Sequence, residues 1–334
     1  MLRAERTAGE AIADTDRTVK GVVFLITGLA IYSLQDIIIK QLSDLYSVHQ
    51  IVFVRSIISI PLLFIIIGLD PSPPKLKTSR PVLHAVRGLC QFIAYTSFYL
   101  ALAAMRLADA VAIAFSAPLV ITVLSVIFLG EKVGIKRWGA IVIGIAGVVV
   151  IVRPGTGVFE PAALFAVTCA VSYGASAVLA RPLGRGDGGA QMALYATIVY
   201  LVMSGGLWFV LGDGRHLGEN THPSMAFLLR AWSAPTVLHM GMMLATGLIS
   251  AIGLYCLAQA YRVAEASAVS PFEYTGLIWA ISFGFLIFGE VPDIFSVLGI
   301  LLIVGSGMLV IHREKKRDRP IVTRRGRLRF RSGL

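Results

Sequence analysis

The sequence predicts an all-α integral membrane protein of ten transmembrane helices, arranged as two inverted five-helix repeats. Three observations carry this. Of 334 residues, 56% are hydrophobic and 15% charged, with a mean hydropathy of +0.79. Apolar runs recur at close to the roughly 20 residues a helix needs to cross a hydrocarbon core. One half of the chain also repeats the other.

The first run, at about 21 to 41, follows a stretch of mixed charge containing Arg3, Glu5, Arg6, Glu10, Asp14, Asp16, Arg17 and Lys20. It exceeds the apolar core of a signal peptide, so residues 1–20 read as an uncleaved cytoplasmic tail. Further spans fall at about 50 to 68, 83 to 104, 109 to 130, 136 to 153, 161 to 181, 190 to 211, 236 to 260, 264 to 288 and 293 to 311. The span at 136–153 is short and relies on Lys132, Lys136 and Arg137 to reach the interface. Cys90, Cys169 and Cys256 all lie within spans and show no CxxC spacing, so they read as packing residues rather than a disulfide or zinc framework.

The net charge of +11 is mostly topological. With the N-terminus in the cytoplasm, 24 Lys and Arg fall on that side. The other side holds five, namely Lys40, Arg106, Arg153, Arg215 and Arg230, with Arg55 inside a span. This positive-inside bias places both termini in the cytoplasm, in a cell membrane such as the bacterial inner membrane. The basic tail 312–334 is expected to meet anionic lipid, and no nucleic acid is expected.

The stretch from Leu100 to Pro154 is answered by the stretch from Leu257 to Arg313. Arg106 and Asp109 pair with Arg262 and Glu265, Gly130 and Glu131 with Gly289 and Glu290, and Gly139 and Gly147 with Gly299 and Gly307. Each half, 21–153 and 161–311, holds an odd number of spans, so the second enters the membrane from the opposite side.

Two such halves, each with an Ala-rich turn, a helix ending in FLGEK or IFGEV and a Gly-rich closing helix, resemble the EamA-type group of the drug/metabolite transporter superfamily. The resemblance covers about 20 to 312. It implies ten transmembrane helices, cytoplasmic ends and movement of small metabolites without ATP hydrolysis. It also implies a proline before the helix-Gly-Glu junction. Pro118 fits, while the matching place in the second half is Leu277 and the proline stands at Pro271. SLQDIIIK and PFEYTGLIW are similar to a branch associated with riboflavin and S-adenosylmethionine, so a vitamin or a nucleoside-type or amino-acid-derived metabolite is the expected substrate.

Polar residues at membrane depth are costly and so mark candidate sites. Glu273 follows Pro271, which frees backbone carbonyls, and its calculated depth is near the midplane. It is expected either to carry a proton as access alternates or to bind a donor on the substrate directly. Tyr274, Tyr95, Gln91 and Ser116 join it as candidate substrate contacts, whereas Tyr99 and Trp279, near span ends, read as interfacial belt residues. Asp36 either pairs with Lys40 one turn away or lines the outer vestibule, and a bridge from Asp36 to Arg55, at similar depth, is expected. The resemblance places an arginine early in the second helix, where Arg55 stands. Glu131 and Glu290 each follow a glycine that suits a helix end, and both read as structural.

No nucleotide-binding, metalloprotease or nucleophile-elbow motif occurs, so an enzyme, a metal site and a cofactor are not expected. The competing class is a membrane-integral enzyme or regulator acting on lipid. A small-molecule substrate is the expected partner, and a homodimer is compatible with the sequence. The segment 213–235 departs from the otherwise tight connections and reads as a lid or an interfacial helix.

Overall fold

The computed structural model describes residues 2–68, 77–130, 134–154, 160–183, 187, 189–263 and 270–315. Among these residues the structure is helical, without strands. The helices are α1 (Leu2–Leu42), α2 (Val48–Gly68), α3 (Pro81–Leu102), α4 (Leu107–Ala114), α5 (Ala117–Leu129), α6 (Ile135–Val152), α7 (Ala163–Leu183) and α8 (Gly189–Leu211). After them come α9 (Pro223–Leu229), α10 (Val237–Val263), a 3₁₀ turn (Ser270–Tyr274), α11 (Thr275–Phe288) and α12 (Ile294–Lys315).

Every apolar run expected from the sequence is helical where described, and six stretches are long and apolar enough by themselves to cross a membrane. Residues 2–20 are helical and run without a break into the first apolar stretch, because α1 begins at Leu2. Their Ala, Arg and Glu content favours continuing the helix. Two runs are broken. Phe115 and Ser116 separate α4 from α5, with Pro118 restarting the helix in its first turn, and the 3₁₀ turn carrying Pro271 precedes α11. Both α5 and α11 end on a left-handed glycine, Gly130 (φ 66°) and Gly289 (φ 65°), a conformation a Cβ would strain.

The larger helix contacts all join one half of the chain to the other. They are α1 with α10, α3 with α7, α6 with α12, α2 with α8 and α10, α3 with α8, α5 with α7, and α11 with α1 and α4. Exchanging helices for their counterparts in the other half maps the pairs among α1, α2, α3, α5, α6, α7, α8, α10, α11 and α12 onto one another. The pair α1/α10 becomes α7/α3, and α5/α7 becomes α11/α1. The core therefore lies between the repeats. A large cluster around Ile39, Val52, Tyr99, Ile113, Ala166, Phe227, Leu277 and Ile303 fills it.

The closing helices α6 and α12 touch at backbone distance. A Cβ on Gly147 would stand 2.8 Å from the Gly299 carbonyl, and one on Gly299 would stand 2.7 Å from the Gly147 carbonyl. Small residues permit such approach where apolar burial alone gives helices in lipid no drive to associate.

The segment 213–235 is pinned rather than loose. Its short helix α9 buries Phe227 completely. His222 reaches Glu160 at 2.8 Å. Arg230 donates to the carbonyls of Ser43 (2.5 Å) and Tyr46 (3.1 Å). Gln50 donates to the Ser233 carbonyl at 2.7 Å. This segment caps the ends of α1 and α2.

Candidate functional site

The two helix breaks meet. The rings of Phe115 and Tyr274 stand edge to face with centroids 5.9 Å apart, and a Cβ on Gly276 would lie 2.8 Å from Phe115. Glu273 sits in the 3₁₀ turn, half-buried, and its charge acts on Tyr274 and on Tyr173 of α7. Ser116 is buried at the other break but donates to the Ile113 carbonyl at 2.6 Å, which ties its hydroxyl to its own helix.

Beside this crossing lies a polar cluster built on Arg55. At about 1.5 Å per residue, Asp36 is about 9 Å from the end of α1 and Arg55 about 10 Å from the start of α2, so they share a depth. Arg55 is 5% exposed and donates to the Tyr99 hydroxyl at 2.5 Å. Its guanidinium carbon stands 5.9, 5.7 and 5.5 Å from the ring centres of Tyr95, Tyr99 and Tyr200, within cation–π range. Gln35 donates to the same Tyr99 hydroxyl at 2.8 Å and accepts from Ser250 at 2.5 Å. The network thus runs from α2 through α3 and α1 to α10.

Four residues of α3 line up at four-residue spacing, namely Arg87, Gln91, Tyr95 and Tyr99, and so share a helix face. Arg87 acts on Tyr95, Tyr173 and Tyr200. It belongs to the interior, although by sequence it counts only toward the basic flank. Tyr173 is 41% exposed. Asp36, Tyr32 and Tyr95 are each part-buried beside it.

Several expectations are corrected here. Tyr99 is not a belt residue. It is 1% exposed and is the shared acceptor of Arg55 and Gln35. Asp36 pairs with neither Lys40 nor Arg55 among the described residues. Arg55 acts on it through space without a bridge, and Lys40 is drawn away to Glu290. Trp279 is half-buried and stacks on Phe283 at 5.8 Å. Gln91 is half-buried on the tyrosine face. Glu131 lies outside the described residues.

Lys40 and Glu290 belong to a clasp at the end of the bundle where α3 passes to α4 and α11 to α12. Lys40 pairs with Glu290 and donates to the Met105 carbonyl at 2.7 Å. Glu290 also accepts from the Leu107 backbone at 2.8 Å. Asp293 accepts from Arg153 at 2.6 Å, Arg106 at 3.0 Å and the Ser296 backbone at 2.9 Å. Arg106 also donates to Asp109 at 2.8 Å. Apart from Lys40–Met105 and Arg106–Asp109, which stay within the first half, every pair joins the first half of the chain to the second or closes the turn into α12. At the opposite end, His84 meets Asp187 at 2.8 Å, joining α3 to the segment after α7.

The comparisons with known proteins bear on this arrangement. The sequence profile of the EamA-like transporter family matches residues 19–153 and again 160–312. This chain belongs to that family. It is a multi-pass membrane protein of a transporter family and not an enzyme. Among its relatives are an S-adenosylmethionine uptake transporter of Rickettsia felis, 26% identical over 89% of this chain and 94% of that protein, and a riboflavin transporter of Rhizobium johnstonii, 27% identical over 73% and 74%. A pseudopaline exporter of Pseudomonas aeruginosa is 25% identical over 89% and 97%. A solved crystal structure at 17% identity shares the fold, with a TM-score of 0.59 over 91% of this chain and 99% of that one.

Sequence reasoning missed Tyr32, Tyr200, Ser250 and Arg87. The four-residue stripe on α3 was the available signal for Arg87, since Gln91 and Tyr95 were already singled out.

Proposed function

We propose that the chain is a secondary carrier of a small polar metabolite, working by alternating access across ten spans built as two inverted repeats. The observation that carries this is the meeting of the helix break at Phe115 and Ser116 in the first half with the 3₁₀ turn Ser270–Tyr274 in the second, beside a buried cluster of charge and tyrosine. Broken helices crossing between repeats present backbone groups and polar side chains to a solute at depth. The distribution of Lys and Arg supports cytoplasmic termini, which makes the Lys40–Glu290 clasp end the outer face. The relatives' names support a vitamin or an amino-acid-derived metabolite as the cargo, and bacterial relatives support the inner membrane.

Glu273, Asp36, Arg55, Tyr95, Gln91 and Tyr274 are the residues proposed to serve the solute or its driving proton. Saturable uptake into proteoliposomes tests the carrier reading, and solute-independent flux or none at all would sink it. Glu273→Gln is expected to lower pH-driven uptake by at least about tenfold. If solute binding survives in that variant, Glu273 carries the proton. If binding is lost with it, the carboxylate holds the solute.

A further inference from the structure

We infer that the cluster on α1, α2 and α3 is a zwitterion site, in which Arg55 takes a carboxylate of the solute and Asp36 takes its cationic group. The inference deepens the carrier reading and rests on it.

The geometry leaves both charges incompletely used. A guanidinium offers five N–H donors, and among the described residues Arg55 places a single hydrogen bond, on Tyr99. Neither carboxylate oxygen of Asp36 accepts a hydrogen bond there. Neither side chain is among those with fully enclosed unpaired atoms, so the unused groups of both reach open space. Arg55 is 5% exposed, so its unused donors are almost wholly screened from bulk water.

Gln35, next to Asp36 in the chain, shares the Tyr99 hydroxyl with Arg55, so the two groups stand near each other at one depth, yet among the described residues no ion pair joins them. Opposite charges held apart in a poorly solvated interior are costly, and direct pairing would relieve them. Here the Arg55–Tyr99 and Gln35–Tyr99 bonds hold the guanidinium and the ring in place. The remaining way to satisfy both charges is a solute that carries one group of each sign a few bonds apart, as an α-amino acid headgroup does. Tyr95, Tyr99 and Tyr200 face the guanidinium. Aromatic faces suit a further cationic or flat portion of the same solute. An anion alone would leave Asp36 unanswered, and a cation alone would leave Arg55.

The test is a cycle of ligand and variant on the full-length purified protein, read as thermal stabilisation over ligand concentration. The probes are S-adenosylmethionine, its decarboxylated form, and riboflavin, which lacks the zwitterionic headgroup. Wild type is expected to favour S-adenosylmethionine over the decarboxylated form by about 10- to 100-fold. Arg55→Gln is expected to erase that preference, lowering affinity for the carboxylate-bearing probe and leaving the other unchanged. Asp36→Asn is expected to weaken both sulfonium probes. Arg55→Lys keeps the charge and is measured in parallel, so that loss of fold in Arg55→Gln does not end the test.

The inference is overturned if the variants weaken all probes alike, if removing the carboxylate costs nothing, or if riboflavin alone binds. In the last case saturable riboflavin uptake leaves the carrier reading standing. Absence of both binding and saturable flux for every probe overturns the two together.

Discussion

Gly299→Leu is expected to leave little folded protein, whereas Gly305→Leu, on the same helix, is expected to be silent. The difference is a matter of what a side chain would meet. A Cβ at Gly299 runs into the Gly147 carbonyl at 2.7 Å and into Ile151, and a backbone carbonyl cannot swing aside as a side chain can. At Gly305 nothing lies within 4 Å, and the residue is exposed on the outside of the bundle. Overpacking of a tight contact costs about 1 to 3 kcal/mol and sometimes more, and in lipid little else holds the two closing helices together. Gly147→Leu is expected to match Gly299→Leu, since its Cβ would meet the Gly299 carbonyl at 2.8 Å. Thermal stability in detergent, followed by size-exclusion profile, decides the matter. Equal stability of the Gly299 and Gly305 variants would refute the backbone contact.

Asp293→Ala is expected to open the clasp end. Asp293 is the shared acceptor of Arg153 and Arg106 and also fixes the start of α12 through the Ser296 backbone. Its removal leaves Arg153 without that acceptor and Arg106 with Asp109. The clasp is partly exposed, so its loss is set at about 1 to 3 kcal/mol after allowing for solvent screening. That is enough to raise the open population roughly fivefold to more than a hundredfold.

Cys169 is a native reporter of this opening, because it is buried on α7, the helix that packs against α3 and α5. In a Cys90→Ser, Cys256→Ser background, labelling of Cys169 by an impermeant maleimide on whole cells is expected to accelerate by at least about fivefold in Asp293→Ala. An unchanged rate would show that the clasp does not govern access.

The hydrogen bond from Arg153 first, then those from Ser296 and Arg106, holds the Asp293 carboxyl well below the usual carboxylate range. A depressed folded value contributes stability that is fully present above the unfolded value, near pH 4, and is lost as pH falls toward the folded value. The ratio of variant to wild-type labelling is therefore expected to stay flat from about pH 5 to 8. A ratio that collapses within that window would mean another group controls the clasp.

How much of this was legible in the sequence depends on distance along the chain. The spans and the glycine ends at Gly130 and Gly289 rest on local composition and backbone preference, and the structure has helices and left-handed glycines there, whereas 109 to 130 reads as one run and its break at Phe115 and Ser116 had no local mark. Tyr99 was misplaced because its depth was judged from the end of its own span. Its burial comes from Arg55 and Gln35 on two other helices. The i, i+4 spacing of Asp36 and Lys40 suggested a pair that the fold does not make, since Glu290, 250 residues away, competes for the lysine with better geometry. Tyr200 and Ser250 carry no local mark at all, and they enter the cluster only because α8 and α10 pack against α2 and α1.

The mutual packing of the two halves also bears on how the protein is made. Each helix of the first half finds its main partner in the second, as α1 does in α10, α2 in α8, α3 in α7 and α6 in α12. A ribosome that has finished residue 153 has therefore delivered helices that are inserted but largely unassembled. The protein comes together only as the later half arrives, which makes the translation of residues 160–312 the stage at which membrane chaperones and quality-control proteases have most to act on.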